Sequence, residues 1–192
     1  MDVNTPRVAQ IACDIAQEML MTLAQSEHLT LRRLTQDDVA NFRAYRGDPD
    51  VAKFQGWDAM DEDEAVKFLG HMSEIEMLKL GKWTQLGIAL RDGNVLIGDI
   101  GVHIAKDGAE AELGITLARS AQGHGLGFEA VEMICDWLFA YTSIERIVAI
   151  THAQNERALV LLARSPFQHT HDTNDMIDGT LTPERWFERR RS

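Results

Sequence analysis

Apolar periodicity along the chain predicts an α/β (α+β) fold: a mixed, mostly antiparallel sheet with helices on its faces. Three observations carry that expectation. Segments with apolar residues at helical spacing alternate with short alternating or β-branched runs. Three of those runs stand consecutively between Trp83 and Ala118, divided only by glycine-containing turns. The order β, α, α, β, β, β, α, β, α, β, β places about six or seven strands in one sheet with about four helices against it.

Ahead of these elements, residues 6–25 set Ile11, Ile15, Met19, Leu20 and Leu23 near i, i+4, i+8 spacing behind Pro6, which predicts an extra amphipathic helix. Residues 1–27 are accordingly expected to be an N-terminal helical extension, packed on the domain edge or on a second subunit in a homodimer, with 28–192 as the domain. Leu29 and Leu31 alternate with polar neighbours in LTLRRLTQ, a strand. Thr35 then caps a helix with acids in its first turn that ends near Gly47 and Pro49. Behind the cap Asp61, a stripe of Ala65, Phe68, Leu69, Met72, Ile75 and Leu78 predicts the next helix.

The apolar runs on either side of Asp92-Gly93 read as a hairpin, and AELGITLA as the strand after it. Phe128, Val131, Ile134, Cys135, Leu138 and Phe139 make a helical stripe. Arg146–His152 is a β-branched buried strand, NERALVLLARS a short helix, and PFQHTH and ERWFERR are closing strands.

The 192 residues are 45% hydrophobic and 26% charged, with a net charge of −11. Such a chain is long enough for one domain with a full core. Its acidity argues against nucleic acid as a partner, because phosphate binding needs clustered Lys and Arg. No stretch reaches the roughly 18 apolar residues of a membrane span, so no membrane is expected. Cys13 and Cys135 fall in helical patterns without a C-x-x-C partner and read as buried small hydrophobes in a reducing compartment. No signal-like segment precedes the first helix, and the expected location is the cytoplasm.

The stretch ARSAQGHGLGFEAVEMICDWLF sets Gly123, Gly125 and Gly127 at every second position between a strand and a helix. That arrangement offers backbone N–H groups and the positive end of a helix to an anion, most naturally a phosphate. The turn lacks the Gly-Lys-Ser/Thr of a Walker A loop and the G-x-G-x-x-G spacing of a dinucleotide fingerprint. Glycines also permit a tight turn and close helix packing, so by itself the turn leaves both readings open.

The run ELGITLA from Glu112, followed by Gln122-Gly-His-Gly-Leu-Gly, resembles the acetyl-CoA signature Q/R-x-x-G-x-G/A of the GNAT N-acetyltransferase superfamily. LIGDIG (Leu96 to Gly101), AITHAQN (Ala149 to Asn155) and LTLRRLTQDDVANFRAYRGDPDVAKF extend the resemblance to the RimJ/RimL-type branch over residues 28–190. It implies a GNAT fold whose sheet splays at an acetyl-CoA site. It also implies transfer of acetyl from acetyl-CoA to a primary amine, a peptide N-terminus or a small-molecule amine, by direct attack in a ternary complex. In the family's pattern the backbone of Ile115, Thr116 and Leu117 pairs with the pantetheine arm. Gln122, Gly123, His124, Gly125, Leu126 and Gly127 surround the pyrophosphate, and Asn155 holds polar groups of the arm. Asn155 is equally suited to cap the helix that follows it.

Acetyl transfer needs a base for the amine and a donor for the developing oxyanion. The resemblance makes the Leu117 amide that donor. Glu112 shares a strand face with Gly114 and Thr116 and is the expected general base, acting through water; a solvent-facing carboxylate is the alternative. His152, at a strand end, is the second candidate. His169 and His171 lie two apart on a strand, but no third ligand accompanies them, and no metal is expected. Where the family often has Ser and other branches have Tyr, this chain has Ala158, Leu161 and Leu162. The acid for the departing thiolate is therefore unassigned, with solvent or Tyr141 as alternatives. Trp57 and Trp83 are expected to wall the acceptor site. The rival expectations are a non-catalytic acyl-CoA-binding module and a transferase of another acyl group.

Overall fold

The computed structural model describes residues 22–55, 57, 59–177 and 179–192. Its strands are β1 (Thr22–Gln25), β2 (Leu29–Arg33), β3 (Trp83–Leu90), β4 (Leu96–Ile104), β5 (Glu110–Leu117), β6 (Arg146–His152), β7 (Gln168–Ile177) and β8 (Thr180–Arg190). They form one eight-stranded sheet in the order β1-β2-β3-β4-β5-β6-β8-β7. Every neighbouring pair is antiparallel except β5 and β6. The helices are α1 (Val39–Arg46), α2 (Pro49–Ala52), α3 (Glu62–Glu74), α4 (Leu126–Tyr141) and α5 (Glu156–Arg164).

Local chemistry accounts for most boundaries. The hairpin turn between β3 and β4 holds Gly93 at φ 75° and Asn94 at φ 51°, the left-handed backbone of a tight turn. At the start of α3 the Asp61 carboxylate accepts from the Glu64 amide while the Glu64 carboxylate accepts from the Asp61 amide, both at 2.9 Å. Thr35 precedes a short 3-10 turn, Gln36–Asp38, which leads into α1. The closing hairpin is longer than its sequence pattern suggested, because β7 lies at the sheet edge and its mostly exposed residues show no apolar alternation.

One expectation is corrected. Residues 22–25, read as the end of an N-terminal helix, are instead strand β1, with Gln25 opposite Thr30 and Thr22 opposite Arg32 of β2. The free edge of β2 supplies ladder hydrogen bonds there, while Leu23 and Ala24 pack against the core. Helical spacing in four residues is too short a signal to resist that pairing. The rest of the predicted helix, and Cys13, lie outside the described residues.

The sheet has two differently covered faces. Beneath α4, the side chains of Ala130, Ile134, Cys135 and Leu138 meet Leu29, Leu31, Ile88, Ile100 and Ile147, all fully buried. Burial pushes the Cys135 thiol up to about 12, which leaves it an inert core group. Among the described residues the opposite face is roofed at one end, where Phe42, Tyr45, Ala65 and Leu69 of α1 and α3 cover Leu34 and Leu96. There Asp99 of β4 accepts from Arg46 at 2.6 Å and from the Tyr45 hydroxyl at 2.7 Å. The Arg46 guanidinium lies 5.0 Å from the Phe42 ring and 4.3 Å from the Trp57 ring.

Side-chain exposure of the Arg46–Asp99 pair is 3% and 2%, so removing one partner strands a buried charge. Asp99→Ala is expected to cost about 3–5 kcal/mol in urea denaturation. The double variant with Arg46→Met is expected to recover part of that loss.

Candidate active site

The pairing of β5 with β6 is parallel and stops early. It runs Glu110 to Arg146, Ala111 to Ile147, Glu112 to Val148 and Leu113 to Ala149, and no further. Beyond that point β5 stays bonded to β4 as far as Leu117, and β6 stays bonded to β8 as far as His152. The two strands are thus held by their outer neighbours while their facing edges part.

Backbone alternation determines what faces the gap. The Ala118 amide donates to Ile97 at 2.8 Å, so the groups of Thr116 and Gly114 belong to the β4 ladder and those of Ile115 and Leu117 point the other way. Side chains confirm the direction. Gln55 Nε2 donates to the Ile115 carbonyl at 3.4 Å, and Gln122 Nε2 donates to the Leu117 carbonyl at 2.8 Å. A cavity of about 90 Å³ occupies the gap, bordered by Leu113, Ile115, Ile150 and Ala158. Its polar lining side chains are the uncharged Gln55, Thr151 and Asn155.

The glycine turn closes one end of this gap. Gly123 and Gly125 have φ of 81° and 83°, and an added Cβ at either would meet nothing within 4 Å. These two glycines serve backbone conformation, whereas Gly127 serves packing: its Cβ would lie 3.3 Å from Leu117 Cδ1 and 3.8 Å from Leu161. Gly125 is the N-cap of α4 and offers no side-chain cap, so the amides of the first turn have no intrahelical acceptor. Leu126 packs against the core while His124 is exposed. Gln122 acts as a brace, its carbonyl accepting from Arg157 as its amide holds Leu117. Asn155 accepts from the Ala158 amide at 3.3 Å, the N-cap of α5, and borders the cavity as well.

On the open face, Glu112 stands opposite His103 of β4 and Val148 of β6, just before the pairing ends. Burial raises its carboxyl above the ordinary range; His103 offsets part of that, and Glu184 and Glu110 add to it. Trp83 is 43% exposed with its ring 5.4 Å from His103, while Trp57 lies on Arg46. His152 accepts from the Gln154 amide through Nδ1 at 3.0 Å, and its ring lies 5.2 Å from Phe54.

Other expected participants lie elsewhere. Tyr141 is 74% exposed, beside Trp137 in a groove formed by α4 and the β1–β2 turn, away from the gap. A bulge in β7 separates His169, beside Phe187, from His171, stacked on Trp186, and turns them to opposite faces. Among the described residues no group of three or more metal-ligating side chains occurs. Sequence reasoning passed over Gln55, Thr151 and Arg157. Only Arg157 had a local signal, a cation two residues after a helix cap.

A family model described as an acetyltransferase (GNAT) domain matches residues 28–168. An uncharacterized N-acetyltransferase p20 of Bacillus licheniformis is 27% identical over 150 residues, covering 77% of this chain and 83% of that protein. The N-acetyltransferase YoaA of Bacillus subtilis (strain 168) is 26% identical over 152 residues, covering 78% and 84%. Among solved structures, a GNAT-family acetyltransferase from Bacillus anthracis superposes with a TM-score of 0.77 at 18% identity, covering 86% of this chain and 96% of its own. RimL, a ribosomal L7/L12 alpha-N-protein acetyltransferase in complex with coenzyme A, superposes with a TM-score of 0.76 at 16% identity, covering 88% and 97%.

The raised Glu112 carboxyl has a stability consequence. The folded protein holds that proton more tightly than the unfolded chain, so stability falls as pH climbs from the ordinary carboxylate value through the raised one. Denaturant melts across that acidic window are expected to show a shallower fall for Glu112→Gln than for the wild type.

Proposed function

Because the chain belongs to the GNAT acetyltransferase family, we propose that it transfers acetyl from acetyl-CoA to a primary amine, a peptide N-terminus or a small-molecule amine, by direct attack in a ternary complex. One observation carries the reading: the early end of the β5–β6 ladder lies beside a helix N-terminus whose turn is built from left-handed glycines. An extended amide-bearing arm fits the first feature, and a pyrophosphate fits the second.

The residues that would hold acetyl-CoA follow from their geometry. The backbone of Ile115 and Leu117 would pair with the arm, with Gln55 releasing the Ile115 carbonyl. Thr116 contributes as part of the strand, its own groups belonging to the β4 ladder. Amides of the Gly123 to Gly127 turn would meet the pyrophosphate, with Arg157 as a nearby cation braced by Gln122. Asn155 would present its remaining amide hydrogens to the arm.

Bound acetyl-CoA supplies an activated thioester carbonyl. Glu112 accepts the proton of the attacking amine, through water, from the acceptor side of the sheet. Leu117 directs its amide into the gap, where it stabilises negative charge developing on the carbonyl oxygen. Ala158 offers no hydroxyl and none of the described residues lining the cavity is ionisable, so in this reading the departing sulfur takes its proton from solvent.

Free thiol release from acetyl-CoA in the presence of primary amines and peptide N-termini is the direct test, and no turnover across a broad panel would overturn the reading. Glu112→Gln is expected to lower kcat/KM about 10²- to 10⁴-fold and to remove an acidic limb lying above the usual carboxylate range. Gly125→Val, which puts a branched side chain on the anion-facing turn at φ 83°, is expected to weaken CoA binding at least about tenfold by calorimetry with far-UV circular dichroism nearly unchanged.

A further inference from the structure

Three rows of cross-strand neighbours run over the open face toward the gap: Gly87–Asp99–Thr116, Gln85–Gly101–Gly114 and Trp83–His103–Glu112. The first is roofed by α1, since Asp99 is bonded to Tyr45 and Arg46. The third stands up as a wall, with Trp83 beside His103 and the Glu112 carboxylate next in line. Between them the middle row has glycine at two of its three positions. It is a slot, open at Gly114, the residue where the β5–β6 ladder has just ended.

Gln85 is the one side chain of that row, and it lies flat along the slot. A Cβ added to Gly101 would stand 2.9 Å from its Nε2, 3.0 Å from its Oε1 and 3.1 Å from Cζ3 of the Trp83 ring, which leans over the slot from the wall. The Oε1 atom is buried and has no hydrogen-bond partner among the described residues. A buried carbonyl without a donor costs about 1–3 kcal/mol, and an apolar side chain of the same size would avoid that cost. Glycine at Gly101 makes room for the amide and for the edge of the Trp83 ring together, and the amide is a group that stability alone disfavours.

We infer that Gln85 is a specificity-determining residue for the acceptor: its half-buried side chain turns the carbonyl out of the slot to accept an N–H that lies close to the reacting amine. This rests on the transferase reading above. Adjacent strands are about 4.8 Å apart, so an amide over Gly101 sits about one strand from Gly114 and two residues along from the Glu112 row. Within one amino acid the amine nitrogen and the following amide nitrogen are about 3–3.6 Å apart, and a hydrogen bond adds about 2.9 Å. An acceptor with its amine at the gap and its first amide N–H on Gln85 spans that distance. A simple alkyl amine, or an ester in place of the amide, leaves the carbonyl unpaired. The chemical class selected is therefore an α-amino amide.

The test pairs isosteric acceptors with variants. The N-methylamides of glycine, alanine and serine are compared with the corresponding methyl esters, which lack only the N–H. Wild-type protein is expected to prefer the amides about ten- to a hundredfold in kcat/KM. Gln85→Leu, and Gln85→Met as a second variant of unbranched shape, are expected to lose that preference. The KM for acetyl-CoA is expected to stay within about twofold, and Tm to hold or rise because the unpaired carbonyl is gone. Equal use of amides and esters by the wild type, or a preference that survives in both variants, would overturn the role of Gln85 and leave the transferase reading standing. Turnover of no amine by the wild type would overturn both.

Discussion

The site depends on a four-residue parallel ladder that stops at Leu113 and Ala149. Ordinarily an internal strand edge without a partner would be a liability, since each unpaired backbone group forfeits a hydrogen bond. Here the outer ladders to β4 and β8 continue past the break and hold both strands in place. Gln55 and Gln122 then satisfy the carbonyls of Ile115 and Leu117 from the side. At the same end Gly98 lets β4 lie close beneath β5: its Cβ would stand 2.3 Å from the Thr116 carbonyl oxygen and 2.6 Å from the Leu117 side chain. The parting of two strands is thus supported by a close approach of the next two.

Electrostatics divide the site into compartments. Among the described residues the gap is lined by apolar and neutral polar groups, and at the glycine turn stands a helix N-terminus with Arg157 close by. Charge belongs to the open face, where burial, with Glu184 and Glu110 nearby, raises the proton affinity of Glu112 while His103 counters them.

On the structural side of the ledger, the buried Asp99 carboxylate links α1 to β4 through Tyr45 and Arg46. Arg46 in turn supports Trp57, which lies two residues after Gln55 and three after Phe54. The segment that crosses the gap is therefore anchored by an ion pair beneath it. That connection ties the segment at the gap to the packing of α1 and α3, with Glu112 outside the buried cluster.

Period, turn chemistry and caps made most of the elements legible. Asp92-Gly93 marked its hairpin, Asp61 its capping box, and the stripe from Val131 to Leu138 its core helix, because each rests on residues a few positions apart. Glycine spacing at Gly123 and Gly125 announced a tight turn, whose left-handed backbone the structure added, and the alternation of Glu112, Gly114 and Thr116 announced a shared face. What only the tertiary structure decided lies between residues far apart in the chain. Gln55 meets Ile115 across 60 positions and Arg157 meets Gln122 across 35, distances over which no local pattern carries information. Thr22–Gln25 became a strand because an edge was waiting for it, and His169 and His171 parted because a bulge intervened. The sequence by itself determined which elements form and which turn can face an anion, since those follow from local backbone preferences. The end of the β5–β6 ladder, and with it the position of every group around the gap, was decided by strand register, a property of pairs of strands and not of either one.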